Sequence, residues 1–84
     1  MKALQNYVAQ KNSWGAIFGS KPLDLKNAQD RKAIAESIDA DLSPENLTCD
    51  GELSRSQVQA RYKQLTQAAQ QLQKLDPTVT FYEF

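Results

Sequence analysis

Few side chains in this chain of 84 residues are suited to catalysis. The sequence contains no His and a single Cys, so Ser–His pairs, Cys–His pairs and the common zinc ligand sets are excluded. Carboxylates, lysines and tyrosines remain as acids and bases, but they fall at helix starts or on faces that we expect to be solvated. The glycines, at positions 15, 19 and 51, are isolated and form no phosphate-binding loop. We therefore expect a protein that is not an enzyme and that binds no cofactor.

The segment that begins at Asp39 resembles the opening of a calcium-binding loop. Asp39 and Asp41 stand at its first and third positions, and Asp50 stands at the twelfth. The sixth position of such a loop requires Gly, whereas this sequence has Pro44 there. We therefore expect no metal site. Cys49, which precedes a turn, is expected to be a small buried residue rather than a reactive thiol.

Charge is segregated along the chain although its formal net charge is zero. Residues 1–35 carry six basic and two acidic side chains, and residues 36–53 carry six acidic side chains and no basic one. Residues 54–84 carry four basic and two acidic side chains. Two interpretations follow. The acidic stretch either neutralises its basic neighbours within the fold, or it presents an acidic surface to a basic partner.

Seven glutamines between positions 57 and 73 line the polar sides of the last predicted helix, beside Ala68 and Ala69. Neutral amides and alanines are desolvated at lower cost than charges, so such a face tolerates a partner helix. The alternative is an ordinary solvated face, because Gln and Ala are good helix formers. The candidate partner-binding residues are Glu36, Asp39, Asp41, Gln64, Gln67, Gln71, Phe81, Tyr82 and Phe84. These residues predict a protein-binding module that engages a protein partner.

Nucleic-acid binding through a helix-turn-helix-like segment, residues 42–65, is the alternative function. Arg and Gln side chains read guanine and adenine edges in the major groove. Against this alternative, the predicted turn carries Asp50 and Glu52 where phosphates would approach, and the chain as a whole is not basic. The residues that would contact nucleic acid are Arg55, Gln59, Arg61 and Lys63.

Hydrophobic spacing predicts an all-α fold, a small helical bundle with three main helices and a short one, in one domain over residues 1–84. Helices are expected near residues 2–12, 24–42, 44–48 and 55–75. Residues 13–20 are expected to form a short helical turn or an ordered loop, because Gly15 and Gly19 interrupt the apolar pattern. The last helix has its apolar residues at positions 58, 62, 65, 69, 72 and 75.

Capping signals mark the helix ends. Asp24 and Ser43 are expected to cap the second and third helices, and Ser54 with Gln57 forms a capping box for the last one. Pro77 prevents that helix from continuing.

The C-terminal tail, residues 78–84, is rich in aromatic residues, and we expect it to be extended. Three of the seven aromatic residues fall within its last four positions. We expect the tail to turn back so that Phe81 and Phe84 complete the core against Trp14, Ile17 and Phe18. The alternative is that the tail is a linear motif that inserts into a partner.

Composition limits the class of protein. Leu, Ile, Val and Phe make up about 21% of the chain, which is just above the level of about 20% below which chains tend to stay disordered. One Cys cannot form an intrachain disulfide, so nothing indicates an oxidising compartment. Without a long apolar run, we expect no signal peptide and no membrane span. The predicted apolar seam of the last helix is short for an independent coiled coil, which favours a monomer or a weak homodimer.

Residues 42–54 and 58–62 resemble small bacteriophage-encoded accessory proteins of unassigned function. The resemblance covers about a quarter of the chain, and such families offer no catalytic residues to transfer. It implies a small phage or mobile-element factor that acts in the bacterial host cytoplasm by binding a host protein.

Overall fold

Four α-helices make up the fold of residues 2–82, the part of the chain that the structure, a computed structural model, describes. They are α1 (Lys2–Ile17), α2 (Ala28–Asp41), α3 (Pro44–Leu47) and α4 (Arg55–Leu75). No strand occurs within residues 2–82. The predicted all-α fold with three main helices and a short one is confirmed. None of the helices in this part of the chain is long and apolar enough to cross a membrane.

The core is organised around α4, which contacts each of the other three helices. Small residues at Ala68 and Ala69 are fully buried, and they let the neighbouring helices approach α4 closely. The buried apolar residues are Leu4, Val8, Ile34, Ala35, Ile38, Leu42, Leu65, Ala68, Ala69, Leu72 and Val79. Packing against this one helix therefore sets the positions of α1 and α2.

The first helix is longer than predicted, because it continues through Gly15 to Ile17. A single Gly costs a helix interior about 1 kcal/mol, which weakens the helix without ending it. Two residues after Ile17, the chain turns at Gly19, whose φ of 74° lies in the left-handed region. The amide of Ser20 donates to the Gly15 carbonyl (2.8 Å), and the amide of Gly19 donates to the Ala16 carbonyl (3.2 Å). This is the Schellman arrangement, so Gly19 rather than Gly15 terminates α1.

The second helix begins at Ala28, four residues later than predicted. Asn27 is its N-cap, since the Asn27 side chain accepts hydrogen bonds from the amides of Gln29 and Asp30. Asp24 instead accepts from the amide of Lys26 (2.9 Å) in a turn that precedes the helix. The prediction of Asp24 as the cap was wrong because Asp and Asn are equally suited to turns and to caps.

The caps of α3 and α4 differ although Ser occupies both positions. Ser54 accepts from the amide of Gln57, and the Gln57 side chain accepts from the amide of Ser54, so the predicted capping box is confirmed. Ser43 is the N-cap of α3 by position, but its side chain makes no cap hydrogen bond. Its hydroxyl donates to the carbonyl of Ala40 (2.8 Å), at the end of the preceding helix. Ser43 therefore joins α2 to α3.

Only the middle of the predicted apolar seam of α4 is buried. Tyr62 and Leu75 keep 49% and 41% of their surfaces exposed, whereas Ala68, which the predicted seam omits, is buried. With 21 residues, α4 is longer than α1 or α2, which have 16 and 14. Its buried residues therefore lie only between Leu65 and Leu72.

The C-terminal tail packs on the core, but not where it was expected. Val79 is buried, and Phe81 is partly buried against the core cluster. The amide of Tyr82 donates to a carboxylate oxygen of Asp39 (2.9 Å), which holds the tail beside α2. The expected aromatic cluster does not form, because Trp14, Ile17 and Phe18 are exposed. Phe84 lies outside the described residues.

Asp76 joins three segments at the point where α4 ends. Its carboxylate accepts from Arg31 Nε of α2 (2.8 Å) and from the amide of Thr78 in the tail (3.0 Å). The hydrogen bonds from Thr78 and Arg31 stabilise the ionised carboxylate and lower the pKa of Asp76 to about 2. This group therefore links the tail to the helices through its charge.

We predict that the stabilising effect of Asp76 is lost in acid. A carboxyl whose pKa is lower in the folded than in the unfolded state stabilises the fold above the unfolded pKa, and this effect disappears as pH falls through the folded pKa. Urea unfolding of the wild type and of Asp76→Asn should give a stability difference that is constant from pH 5 to pH 8. The difference should shrink below pH 4 and vanish near pH 2. A difference that stays the same throughout would contradict the assignment.

Candidate functional site

A groove with a volume of about 530 Å³ lies between α1 and α4. This volume lies within the range of about 300–1,000 Å³ that is typical of ligand sites. The lining residues are Lys2, Ala3, Asn6, Tyr7, Gln10, Lys11, Trp14, Asp41, Arg61, Gln64, Leu65, Gln67 and Gln71. We call this feature the α1/α4 groove.

Helical periodicity explains why the polar residues that line the groove lie on one side of each helix. On α1, the residues Lys2, Asn6 and Gln10 recur at every fourth position and so share one side of the helix. Gln64, Gln67 and Gln71 do the same on α4 with spacings of three and four. The amide of Leu4 donates to Gln71 Oε1 (2.9 Å), so the start of α1 lies beside the C-terminal half of α4. The two helices are therefore antiparallel, and their polar stripes face one opening.

The floor of the groove is a hydrogen-bonded network around Tyr7. The Tyr7 hydroxyl lies 2.7 Å from Ser37 Oγ and donates to Asp41 Oδ2 (2.7 Å). Lys11 Nζ lies 3.4 Å from the same carboxylate oxygen and 5.4 Å from the centre of the Tyr7 ring. Burial, with the adjacent Asp41 carboxylate adding to it, raises the pKa of Tyr7 well above its ordinary value. Tyr7 is thus a neutral hydrogen-bond donor, and it joins α1 to α2.

Arg61 is a polar side chain of the groove that has an unsatisfied hydrogen-bond donor. Its Nε is buried and has no hydrogen-bond partner among the described residues. The positive charge of Arg61 acts on Tyr7, where it opposes the rise in pKa that burial causes. A buried donor without an acceptor costs about 1–3 kcal/mol of folding free energy.

An exposed apolar surface adjoins one end of the groove. Trp14, Ile17 and Phe18, which we call the α1 patch, are 65%, 71% and 78% exposed. Val8 is the last buried residue of α1, so the final turns of this helix extend beyond the core. Trp14 belongs to both features, since it also lines the groove. The expectation that these three residues form core with the tail was therefore wrong.

The predicted partner-binding residues fall into two separate regions. Asp41, Gln64, Gln67 and Gln71 line the α1/α4 groove. Glu36, Asp39 and Tyr82 line a smaller depression of about 170 Å³ between α2 and the tail. Phe81 packs against the core, and Phe84 lies outside the described residues. The structure thus does not gather these residues into one site.

Two of the predicted acidic residues have partners inside the fold. Asp41 is engaged by Tyr7 and Lys11, and Asp39 accepts from the amide of Tyr82. Glu36 is exposed. For Asp41, neutralisation by Lys11 within the fold accounts for the charge better than an acidic docking surface does, and Asp39 holds the tail.

The four residues of the nucleic-acid alternative do not share one face. Arg55, Gln59 and Lys63 recur at every fourth position and are exposed. Arg61 lies in the groove, on nearly the opposite side of α4, since each residue advances a helix by about 100°. The preceding helix, α3, has four residues, so the segment 42–65 lacks a full first helix. The structure therefore does not bring these four residues to one surface, and nucleic-acid binding stays a prediction.

Sequence reasoning missed the α1 wall of the groove. Lys2, Asn6, Gln10 and Trp14 line it, and none of them was predicted as a site residue. Their spacing of four is visible in the sequence, but it is the spacing of any polar helix flank. Only the position of α4 shows that this flank faces a second polar stripe.

We predict that Tyr7→Phe destabilises the fold. The substitution removes the donor to Asp41 and the hydroxyl beside Ser37, and it should cost about 1–3 kcal/mol in unfolding free energy. Tyr62→Phe is the matched control, because Tyr62 is half exposed and should stay within about 0.5 kcal/mol of the wild type. Urea unfolding followed by circular dichroism measures both. Equal losses in the two variants would show that the Tyr7 network does not stabilise the fold.

Residues 2–82 contain no group of three or more Asp, Glu and Cys side chains placed to hold a metal ion. Comparison with models of protein families, with curated proteins and with solved structures finds no match to this chain. What the groove and the patch bind must therefore be inferred from their own chemistry.

Proposed function

We propose that this protein is a non-enzymatic protein-binding module that contacts its partner through the α1 patch. The observation that carries the proposal is the exposure of Trp14, Ile17 and Phe18 at the end of one helix. Large apolar side chains that are adjacent and exposed mark interaction surfaces, whereas single exposed ones are common and need no explanation. Trp is also among the residues that most often dominate the energy of protein interfaces.

The patch is held in a defined shape before any partner binds. The Schellman turn fixes the chain immediately after Phe18, through the hydrogen bonds of Gly19 and Ser20 to the last turn of α1. The linker that follows is tied back by Asn12, which accepts from the amide of Leu23 (2.7 Å) and donates to its carbonyl (3.0 Å). A preorganised surface loses less conformational entropy on binding, which favours a protein partner.

The chemistry of the groove favours binding over catalysis. Burial keeps the Tyr7 hydroxyl protonated, and the Asp41 carboxylate is already engaged by Tyr7 and Lys11. The Tyr7 hydroxyl is therefore not poised to give up its proton near neutral pH. The resemblance of residues 42–62 to bacteriophage-encoded accessory proteins extends the proposal to a bacterial host protein as the partner.

Capture from bacterial lysate tests the proposal. Tagged wild type, Phe18→Ser and Tyr62→Ser serve as baits, each with and without nuclease treatment. We expect the wild type to retain a protein that nuclease does not release and that Phe18→Ser loses at least tenfold. Tyr62→Ser changes an exposed aromatic residue outside the patch and should retain the same protein.

Two results would contradict the proposal. Retention that disappears with nuclease would favour nucleic acid as the partner. A wild type that sediments as a dimer at micromolar concentration, and as a monomer after Phe18→Ser, would assign the patch to self-association instead.

A further inference from the structure

We propose that the α1/α4 groove binds an acidic amphipathic helix of the partner protein, with a carboxylate of that helix pairing with the positive charge of Arg61. The inference rests on the proposed function, because the groove and the α1 patch would contact the same partner. It specifies the charge and the secondary structure of the partner segment that the groove would bind.

The first support is the state of Arg61. Its Nε is buried within a protein wall, yet no described residue accepts its hydrogen bond. A guanidinium presents donors in a planar fork that fits a carboxylate, and such charge-assisted bonds are about twice as strong as neutral ones. Arg61 lines the groove and no described carboxylate pairs with it, so a carboxylate that enters the groove would supply the countercharge that the fold does not.

The second support is the balance of charge. Asp41 is the single acidic residue among those that line the groove, against Lys2, Lys11 and Arg61. Asp41 is already paired with Lys11, whereas no described carboxylate pairs with Lys2 or Arg61. The free charge of the groove is therefore positive. Complementary potentials of this kind select partners of opposite charge and raise association rates.

The third support is the length and composition of the groove. The twelve-residue separation of Lys2 and Trp14 corresponds to about 18 Å of helix, which is the length of about three turns. Its walls carry the neutral amides of Asn6, Gln10 and Gln64, which cost less to desolvate than charges and can bond to polar side chains of a partner. The antiparallel helices α1 and α4 form the walls, so a helix of the partner could pack against both of them as helices do in a bundle.

The fourth support is continuity with the α1 patch. Ile17 follows Gln10 by seven residues and therefore lies on the same side of α1 as Lys2, Asn6 and Gln10. Trp14 lines the groove and belongs to the patch. One surface thus runs from a cationic, amide-lined groove to an apolar end. It fits a helix with carboxylates along its length and apolar side chains at the end that meets Trp14.

Two synthetic peptides test the inference. Each has sixteen residues and blocked ends, with Leu along one helical face, and the flanking positions are all Glu in one peptide and all Gln in the other. The fluorescence of Trp14, the single tryptophan of the chain, reports binding. At about 50 mM salt we expect the wild type to bind the Glu peptide at least tenfold more tightly than the Gln peptide. Arg61→Gln should remove most of that preference.

Arg55→Gln is the matched control, because Arg55 is exposed on the other side of α4 and its loss should leave the preference intact. Comparing the two peptides on the wild type does not require any variant to fold. Equal binding of both peptides by the wild type would overturn the inference. If Phe18→Ser then weakened both, the proposed function would still stand.

Two further results would also overturn the inference. One is failure of the Glu peptide to bind at millimolar concentration. The other is tighter binding of a fifteen-nucleotide oligo(dT) that depends on Arg61, which would assign the groove to single-stranded nucleic acid.

Discussion

The packing of one buried face of α4 against α1 and α2 is the interaction on which the rest of this structure depends. Leu65, Ala68, Ala69 and Leu72 form that face, and each is at most 5% exposed. The two alanines give close approach, and the two leucines supply most of the apolar volume. Because α1 and α2 both pack on this face, any shift of α4 would move the walls of the groove and the residues on its floor.

Polar contacts between the helices then fix the relative positions of the helices, which apolar packing alone does not determine. Gln71 of α4 accepts from the amide of Leu4 in the first turn of α1, where intrahelical partners are missing. Tyr7 and Asp41 join α1 to α2, and Arg31 with Asp76 joins α2 to the end of α4. Arg61 makes no such contact through Nε.

Local signals in the sequence predict the helices well and their assembly poorly. The capping box of Ser54 and the stop at Pro77 depend on neighbouring residues, and the structure has α4 begin and end where they indicate. Asn27 rather than Asp24 caps α2, and the local sequence does not distinguish the two, because both residue types are suited to caps and to turns. The site is harder to predict than the helices, because the pairing of the α1 and α4 stripes comes from contacts between distant residues, such as Leu4 and Gln71, which are 67 positions apart. Exposure of Trp14, Ile17 and Phe18 was equally hidden, since an apolar residue has the same sequence signature in a core and in a patch.

The central claim is that the α1 patch lies outside the packing that holds the fold together. Urea unfolding of the double variant Ile17→Ser/Phe18→Ser, beside Leu72→Ala, tests this claim most directly. Trp14 is retained in both variants as the fluorescent reporter. The double variant should unfold within about 0.5 kcal/mol of the wild type, as expected for surface positions. Leu72→Ala should lose about 2–5 kcal/mol, as expected for a fully buried leucine. A double variant that is destabilised as much as Leu72→Ala would show that the patch is part of the core, and would contradict the account.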